Sequence, residues 1–199
     1  MKPANFTIFL DRDGVINVDS PDYIKCAEEF HFIAGSAEAI ALLSKRGFDV
    51  VVITNQSGVG RGMFTCQELE SIFYKMTKEV ADEGGLIKDI FFCPHTPEDG
   101  CLCRKPLPGL ILQAIEQYGI DPARSCMVGD SIRDIECARN AGCRYSLLVR
   151  TGNGRAAEAM LKNHSSRKNR GETDLISPKP DFIADNLMEA VRWLESVRL

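Results

Sequence analysis

A chain of 199 residues, 44% apolar and 26% charged, has the length for one domain with a sizeable core and the composition of an ordinary globular protein. Its formal charge of −4, with both signs spread along the chain, leaves no footprint for nucleic acid or an anionic membrane. The first apolar run, residues 6–10, is far too short for a signal-peptide core or a membrane span, so a cytoplasmic protein is expected.

Apolar strand-like runs at 6–10, 49–53, 89–93, 125–128, 145–149 and 181–184 alternate with amphipathic stretches at 36–45, 65–83, 109–118, 131–141, 155–162 and 186–197. Thr65 with Glu68 reads as a capping box, and Gly47, Gly119 and Gly142 stand where helices should stop. Strict alternation predicts an α/β fold: a single domain over 1–199 with a doubly wound, mostly parallel sheet. Two segments interrupt the rhythm. Residues 15–34 form a long connection read as a small flap over the crevice. Residues 164–180, polar and locally basic, read as a mobile surface loop with no assigned function.

Polar patches follow four of the strands, and in an open α/β sheet strand carboxyl ends share one crevice where ligands bind. Asp11 and Asp13 stand two apart on an extended segment, so both carboxylates can face one ligand. Two like charges so close need a cation or a shared proton, and Mg²⁺ suits a carboxylate pair that also meets a phosphate. An acidic turn is the bland alternative. A calcium loop starting at Asp11 would need glycine where Ile16 stands.

Thr54 ends the second strand with a hydroxyl able to donate to a phosphate oxygen. Asn55 could do the same or pin a neighbouring loop. Gly58, Gly60 and Gly62 do not fit a dinucleotide fingerprint, because the spacing leads to Met63 and the run follows the second strand. They are read as letting a substrate-facing loop turn tightly. Lys105 offers a fixed positive charge. Asp130 follows the fourth strand and reaches the crevice, and Ser131 with Asp134 fits a helix-start capping box.

The eight cysteines, without an export signal, are expected to be reduced thiols and metal ligands rather than disulfides. Cys93, His95, Cys101 and Cys103 lie within eleven residues on a loop containing proline and glycine. They match a closed Cys₃His zinc site, structural because no coordination position stays open. Over 93–105, such a site would fix the loop presenting Arg104 and Lys105.

Taken in order, Asp11-Arg12-Asp13-Gly14-Val15, Thr54, Lys105 and Gly129-Asp130 through Asp134 resemble the signature of the haloacid dehalogenase-like phosphatases, from residue 6 to about 150. The further stretches Asn17 to Asp19, Thr54 to Phe64, Cys93-Pro94-His95 and Cys103 to Gly109 resemble its heptose-bisphosphate phosphatase branch.

The resemblance implies a Rossmann-like fold without a large cap domain and a Mg²⁺-dependent phosphomonoesterase acting on a heptose 1,7-bisphosphate. Asp11 would be the nucleophile and Asp13 the acid and base. Asp11, Asp13 (by its carbonyl) and Asp130 would hold Mg²⁺, while Thr54 and Lys105 would stabilise the phosphoryl group. Asp19, Ser20, Pro21, Asp22, Thr54, Asn55, Gln56, Ser57, Arg104 and Lys105 would contact the substrate. A phosphorylated sugar is then the expected partner, and a monomer the expected state.

Histidinol-phosphate phosphatases are the alternative, disfavoured by Ser57, Arg61-Gly62 and Pro108-Gly109. A zinc-stabilised binding module without turnover is a second, and a nucleic-acid 3′-phosphatase, opposed by the acidic balance, a third. One departure stands out: Ser131 occupies a position where the family often has Lys.

Overall fold

A computed structural model describes residues 5–168 and 179–197. Six parallel strands form one sheet in the order β3-β2-β1-β4-β5-β6. They are β1 (Thr7–Leu10), β2 (Asp49–Asn55), β3 (Asp89–Cys93), β4 (Ser125–Gly129), β5 (Tyr145–Val149) and β6 (Phe182–Ala184). β1 is central: Leu10 pairs with Val52 on one side and Val128 on the other. The chain runs outward from β1 in both directions, so the topological switch lies between β1 and β4. The carboxyl ends of those two strands open onto a crevice there.

Alternation sets the two layers. Ile8, Leu10, Val50 and Val52 face helices α1 (Ser36–Lys45), α3 (Cys66–Asp82) and α7 (Leu187–Ser196). Phe9, Val51, Ile53 and Met127 face α4 (Gly109–Tyr118) and α5 (Ile132–Asn140). Successive side chains of a strand point to opposite faces, so a strand buried on both sides must be apolar throughout, and β1 is. A third helix on the second side, α6 (Gly154–Lys168), packs Ala157 against Leu148. A short helical turn, α2 (Ser57–Gly60), follows β2.

The local signals act as read. Thr65 and Glu68 make the capping box of α3, and Gly119 ends α4 at φ 63°, a left-handed position that costs glycine little. Two expectations are corrected. Helix α6 continues to Lys168, so residues 164–168 are helical and not loop. Nothing between Asn163 and Lys168 breaks a helix, since neither Gly nor Pro occurs there. The rest of the expected mobile loop, 169–178, lies outside the described residues.

The glycines at 58 and 60 serve packing rather than turning. A Cβ on Gly58 would lie 2.2 Å from the Phe64 ring, and one on Gly60 would lie 2.6 Å from the Pro94 carbonyl oxygen. Only Gly62, at φ 68°, takes a left-handed turn.

The 15–34 connection is packed, not loose. Ile16 and Phe30 are buried, and the Lys75 ammonium on α3 donates to the carbonyls of Ala27 and Phe30, both at 2.9 Å. Ser36 Oγ donates to Ile16 O at 2.6 Å.

Candidate active site

The first patch leaves β1 with its ladder unbroken: Asp11 N donates to Val128 O at 3.0 Å. This brings Asp11 beside Asp130 and Asp134, which follow β4, with their carboxylates within 4.8 Å of one another. Lys105 Nζ sits among them, 2.8 Å from Asp11 Oδ1, 2.6 Å from Asp134 Oδ1 and 3.0 Å from the Ile53 carbonyl it donates to. Lys105 is only 3% exposed. Three carboxyl groups thus crowd one ammonium.

Burial pushes the Asp11 carboxyl well above the usual carboxylate range; Lys105 pulls it back, and Asp134 and Asp130 push it further up. Burial and the Asp134 charge lift Asp130 to about 6. Burial alone would lower Lys105, but Asp11 and Asp134 prevail and raise it above its ordinary value.

The cluster fits a small divalent cation. Its donors are all oxygens, as Mg²⁺ prefers. The backbone also closes tightly around it: a Cβ on Gly14 or Gly152 would come within 2.1 or 2.2 Å of Asp130 Oδ2.

A pH dependence follows. A carboxylate raised in the folded state stabilises the fold below its unfolded pKa, and that contribution is lost as pH rises through about 6. A bound cation offsets the loss. MgCl₂ is therefore expected to raise Tm more at about pH 7.5 than at about pH 5. Equal shifts at both pH values in thermal melts would contradict a cation held by Asp130.

Asp13 turns away from that trio. Its Oδ1 accepts from Arg12 NH2 (2.6 Å), Arg12 Nε (3.1 Å) and Asn17 Nδ2 (2.9 Å), and its Oδ2 accepts from Gln56 Nε2 (2.9 Å). Burial would raise the Asp13 carboxyl, yet the Arg12 charge and these hydrogen bonds hold it below the usual range. Arg12 itself is 1% exposed and lies 6.0 Å over the Phe73 ring.

A cavity of about 210 Å³ opens over these groups. Asp11, Asp13 and Asp130 line it, with Asn55, Gln56, Arg104 and Lys105 also on its walls. The 15–34 connection contributes Asp19, Ser20, Tyr23 and Ile24.

Of the expected substrate contacts, Pro21 lines an adjoining recess instead, and Asp22 is exposed outside the cavity lining. Thr54 and Ser57 are buried behind the wall, with Thr54 Oγ1 accepting from Gln56 Nε2 at 2.8 Å. Asn55 pins the neighbouring loop, its Oδ1 accepting from Lys105 N (3.1 Å) and its Nδ2 donating to Lys105 O (3.3 Å).

Arg12, Tyr23, Ile24, Arg133 and Asn153 also line the cavity, and none was singled out in the sequence as a site residue. Arg133 carried a signal in hindsight, since it lies in the first turn of the helix that follows Asp130. Tyr23, held at φ 64°, and Asn153, beyond β5, carried none. Ser131 is occupied in its capping box, its N and Oγ both donating to Asp134 Oδ2 at 3.0 and 2.6 Å.

The third patch brings the four candidate zinc ligands together. Cys103 Sγ lies 3.2 Å from Cys93 Sγ, 3.4 Å from Cys101 Sγ and 3.3 Å from His95 Nδ1. Sulfurs bonded as a disulfide would stand at about 2.05 Å. These spacings instead resemble the edges of a tetrahedron of soft ligands. Arg104 and Lys105 follow at once, and Arg104 NH1 donates to His95 O at 3.2 Å. Among the described residues no cysteine is in a disulfide.

A doubly wound sheet with a buried carboxylate trio, one lysine and a polar cavity at its switch point defines a hydrolase built for phosphoryl transfer. A sequence model of the haloacid dehalogenase-like hydrolases matches residues 8–142. The D-glycero-beta-D-manno-heptose-1,7-bisphosphate 7-phosphatase of Pseudomonas aeruginosa is 50% identical over 147 residues, 74% of this chain and 82% of that protein.

Among solved structures, the D,D-heptose 1,7-bisphosphate phosphatase of B. bronchiseptica complexed with magnesium and phosphate superposes with a TM-score of 0.84 at 39% identity. The match covers 96% of this chain and 98% of that one. The D,D-heptose 1,7-bisphosphate phosphatase of Burkholderia thailandensis matches with a TM-score of 0.69 at 34% identity, over 96% and 99% of the two chains. The chain belongs to the haloacid dehalogenase-like hydrolases, alongside these phosphatases. No described helix is long and apolar enough to cross a membrane.

Proposed function

We propose that the protein removes the 7-phosphate of D-glycero-D-manno-heptose 1,7-bisphosphate, leaving heptose 1-phosphate. One observation carries this most: the Asp11 carboxylate and Lys105 ammonium, 2.8 Å apart on the cavity wall, in a chain half identical to a phosphatase of that name.

Asp11 attacks phosphorus, the bond from phosphorus to the sugar oxygen breaks, and that oxygen takes a proton from Asp13. Water then attacks the aspartyl phosphate, passes its proton to Asp13 and frees phosphate and Asp11. Asp13 is held ionised by Arg12, so it gains a proton only when an incoming phosphate anion stands beside it. Turning one oxygen from Gln56 toward the leaving group lets it act. Lys105, on the cavity wall, offsets charge on the phosphoryl oxygens, while Thr54 behind the wall orients Gln56.

Asp11, Asp130 and the main-chain carbonyl of Asp13 would hold Mg²⁺, whose charge offsets the repulsion between nucleophile and phosphate. Asp134 is well placed to keep Lys105 and a metal-bound water in position. The Cys93, His95, Cys101 and Cys103 cluster would hold a structural zinc.

Arg104 and Arg133, both on the cavity, would bind the distal phosphate, so Arg133 takes the place of the lysine absent at Ser131. Asp19, Ser20 and Asn55 are at hand for the sugar hydroxyls. The protein would act as a monomer in the cytoplasm on a phosphorylated sugar.

The test is Mg²⁺-dependent phosphate release from the bisphosphate and from L-histidinol phosphate side by side. Release of one phosphate from the bisphosphate, with little from histidinol phosphate, is expected. Arg133→Ala should raise KM for the bisphosphate roughly 10-fold while leaving a simple monophosphate unchanged. Preference for histidinol phosphate would overturn the sugar assignment, and no release from either would leave a binding module.

A further inference from the structure

We infer that Asn153, in the loop between β5 and α6, is a positioning residue that ties the 15–34 connection to the cation-binding carboxylates. The inference rests on the proposed Mg²⁺ site but not on the identity of the sugar.

Three hydrogen bonds carry it. The backbone N of Asn153 donates to Asp130 Oδ2 at 2.7 Å. Its side-chain Nδ2 donates to the same oxygen at 3.2 Å and to Asp19 Oδ2 at 3.0 Å. One amide thus bridges a carboxylate of the cluster and a carboxylate of the substrate-facing connection. Thr151 Oγ1 donates to Gly14 O at 2.6 Å, seating the same loop against the patch after β1.

The loop has no slack to sit elsewhere. At Gly152 a Cβ would stand 2.2 Å from Asp130 Oδ2 and 2.5 Å from Gly14 Cα, and at Gly154 it would stand 1.7 Å from Val149 O. Asp19 and Asn153 each line both the catalytic cavity and the adjoining recess of about 460 Å³, so their hydrogen bond forms part of the partition between the two.

The physical consequence is a coupling. Both donors of Asn153 go to Asp130 Oδ2, and among the described residues no donor pairs with Oδ1, which is left for a cation. Asp19 and Asp130 repel each other across the amide. A cation on Asp130 removes that repulsion and strengthens the Asn153 bridge to Asp19. Binding at the cluster should therefore tighten the 15–34 connection, and by linkage a tightened connection should favour the cation.

The experiment is Mg²⁺ titration by calorimetry with amide hydrogen exchange of residues 15–34, on the full chain without substrate. In the wild type, Mg²⁺ should slow exchange across 15–34. Asn153→Ala should bind Mg²⁺ about 10-fold more weakly and lose the Mg²⁺-dependent protection, since partners of ligating groups act on metal affinity at this scale.

Asp19→Ala breaks the bridge from the other side. It should lose the protection while changing Mg²⁺ affinity far less, and it leaves the loop intact if Asn153→Ala fails to fold. Full Mg²⁺-dependent protection in either variant would overturn the coupling, as would its absence in the wild type. Loss of heptose-bisphosphate turnover with the coupling intact would strike only the sugar assignment.

Discussion

Asp11→Asn is expected to lower turnover by about 10⁴-fold or more while leaving the fold intact. An amide cannot attack phosphorus to form the acyl phosphate, so the loss falls on the chemical step. The fold should survive because the native carboxylate is itself under repulsion. Burial, Asp134 and Asp130 all work against its charge. Lys105 keeps Asp134 as an ion-pair partner at 2.6 Å and the Ile53 carbonyl at 3.0 Å. Melts without metal should thus show a Tm no lower than wild type. Residual activity within tenfold of wild type in purified variant would remove Asp11 as nucleophile.

The second large effect concerns zinc. Wild-type protein prepared without chelators is expected to carry about one zinc per chain, as a closed four-ligand site implies. Cys93→Ser should lose it and lower kcat roughly 100-fold, because Arg104 and Lys105 directly follow Cys103 of the proposed site and a misplacement near 1 Å costs about that much.

The sheet should persist, since Cys93 is the last residue of β3 and, apart from it and the Cys101 and Cys103 that pack beside it, the two apolar layers are built by strands and helices outside this loop. Asn55 grips the Lys105 backbone from β2, so a partial hold on the lysine remains without metal. Cys66→Ser, at an exposed position away from the cluster, is the matched control and should change neither zinc content nor rate. Elemental analysis finding no zinc in wild type would rule out the site. Full activity in zinc-free Cys93→Ser would rule out its positioning role.

Much of this was legible along the chain because the signals are short-range. Alternation of apolar runs with helical stripes is enough to specify a doubly wound sheet, and Thr65 with Glu68 marks a helix start by itself. Asp11 with Asp13, and the Cys93 to Cys103 spacing, need only local geometry. The comparisons then bore out the family resemblance that those motifs carried.

The helix that runs on through 164–168 needed only local sequence, which holds no Gly or Pro there, whereas the failed reading of the glycines depended on neighbours that the fold brings close. Gly58 and Gly60 are small because Phe64 and Pro94 press on them, which spacing does not reveal. The 15–34 connection gave no sign that Lys75, on another element, would fasten it.

The sequence by itself determined the fold class, the strand ends that bear polar patches and the chemical kinds of group available at each. Those follow from periodicity and from residue type, both properties of contiguous chain. Only the tertiary structure decided which of those groups meet.

Register between β1, β2 and β4 is what sets Lys105 between Asp11 and Asp134 and turns three separate acids into one buried cluster. Packing sent Asp13 to Arg12, put Thr54 behind Gln56 and brought Arg133 and Asn153 to the cavity. Electrostatic energy depends on distance and burial rather than on position in the chain, so charge, protonation and cation affinity at this site exist only once the sheet has closed.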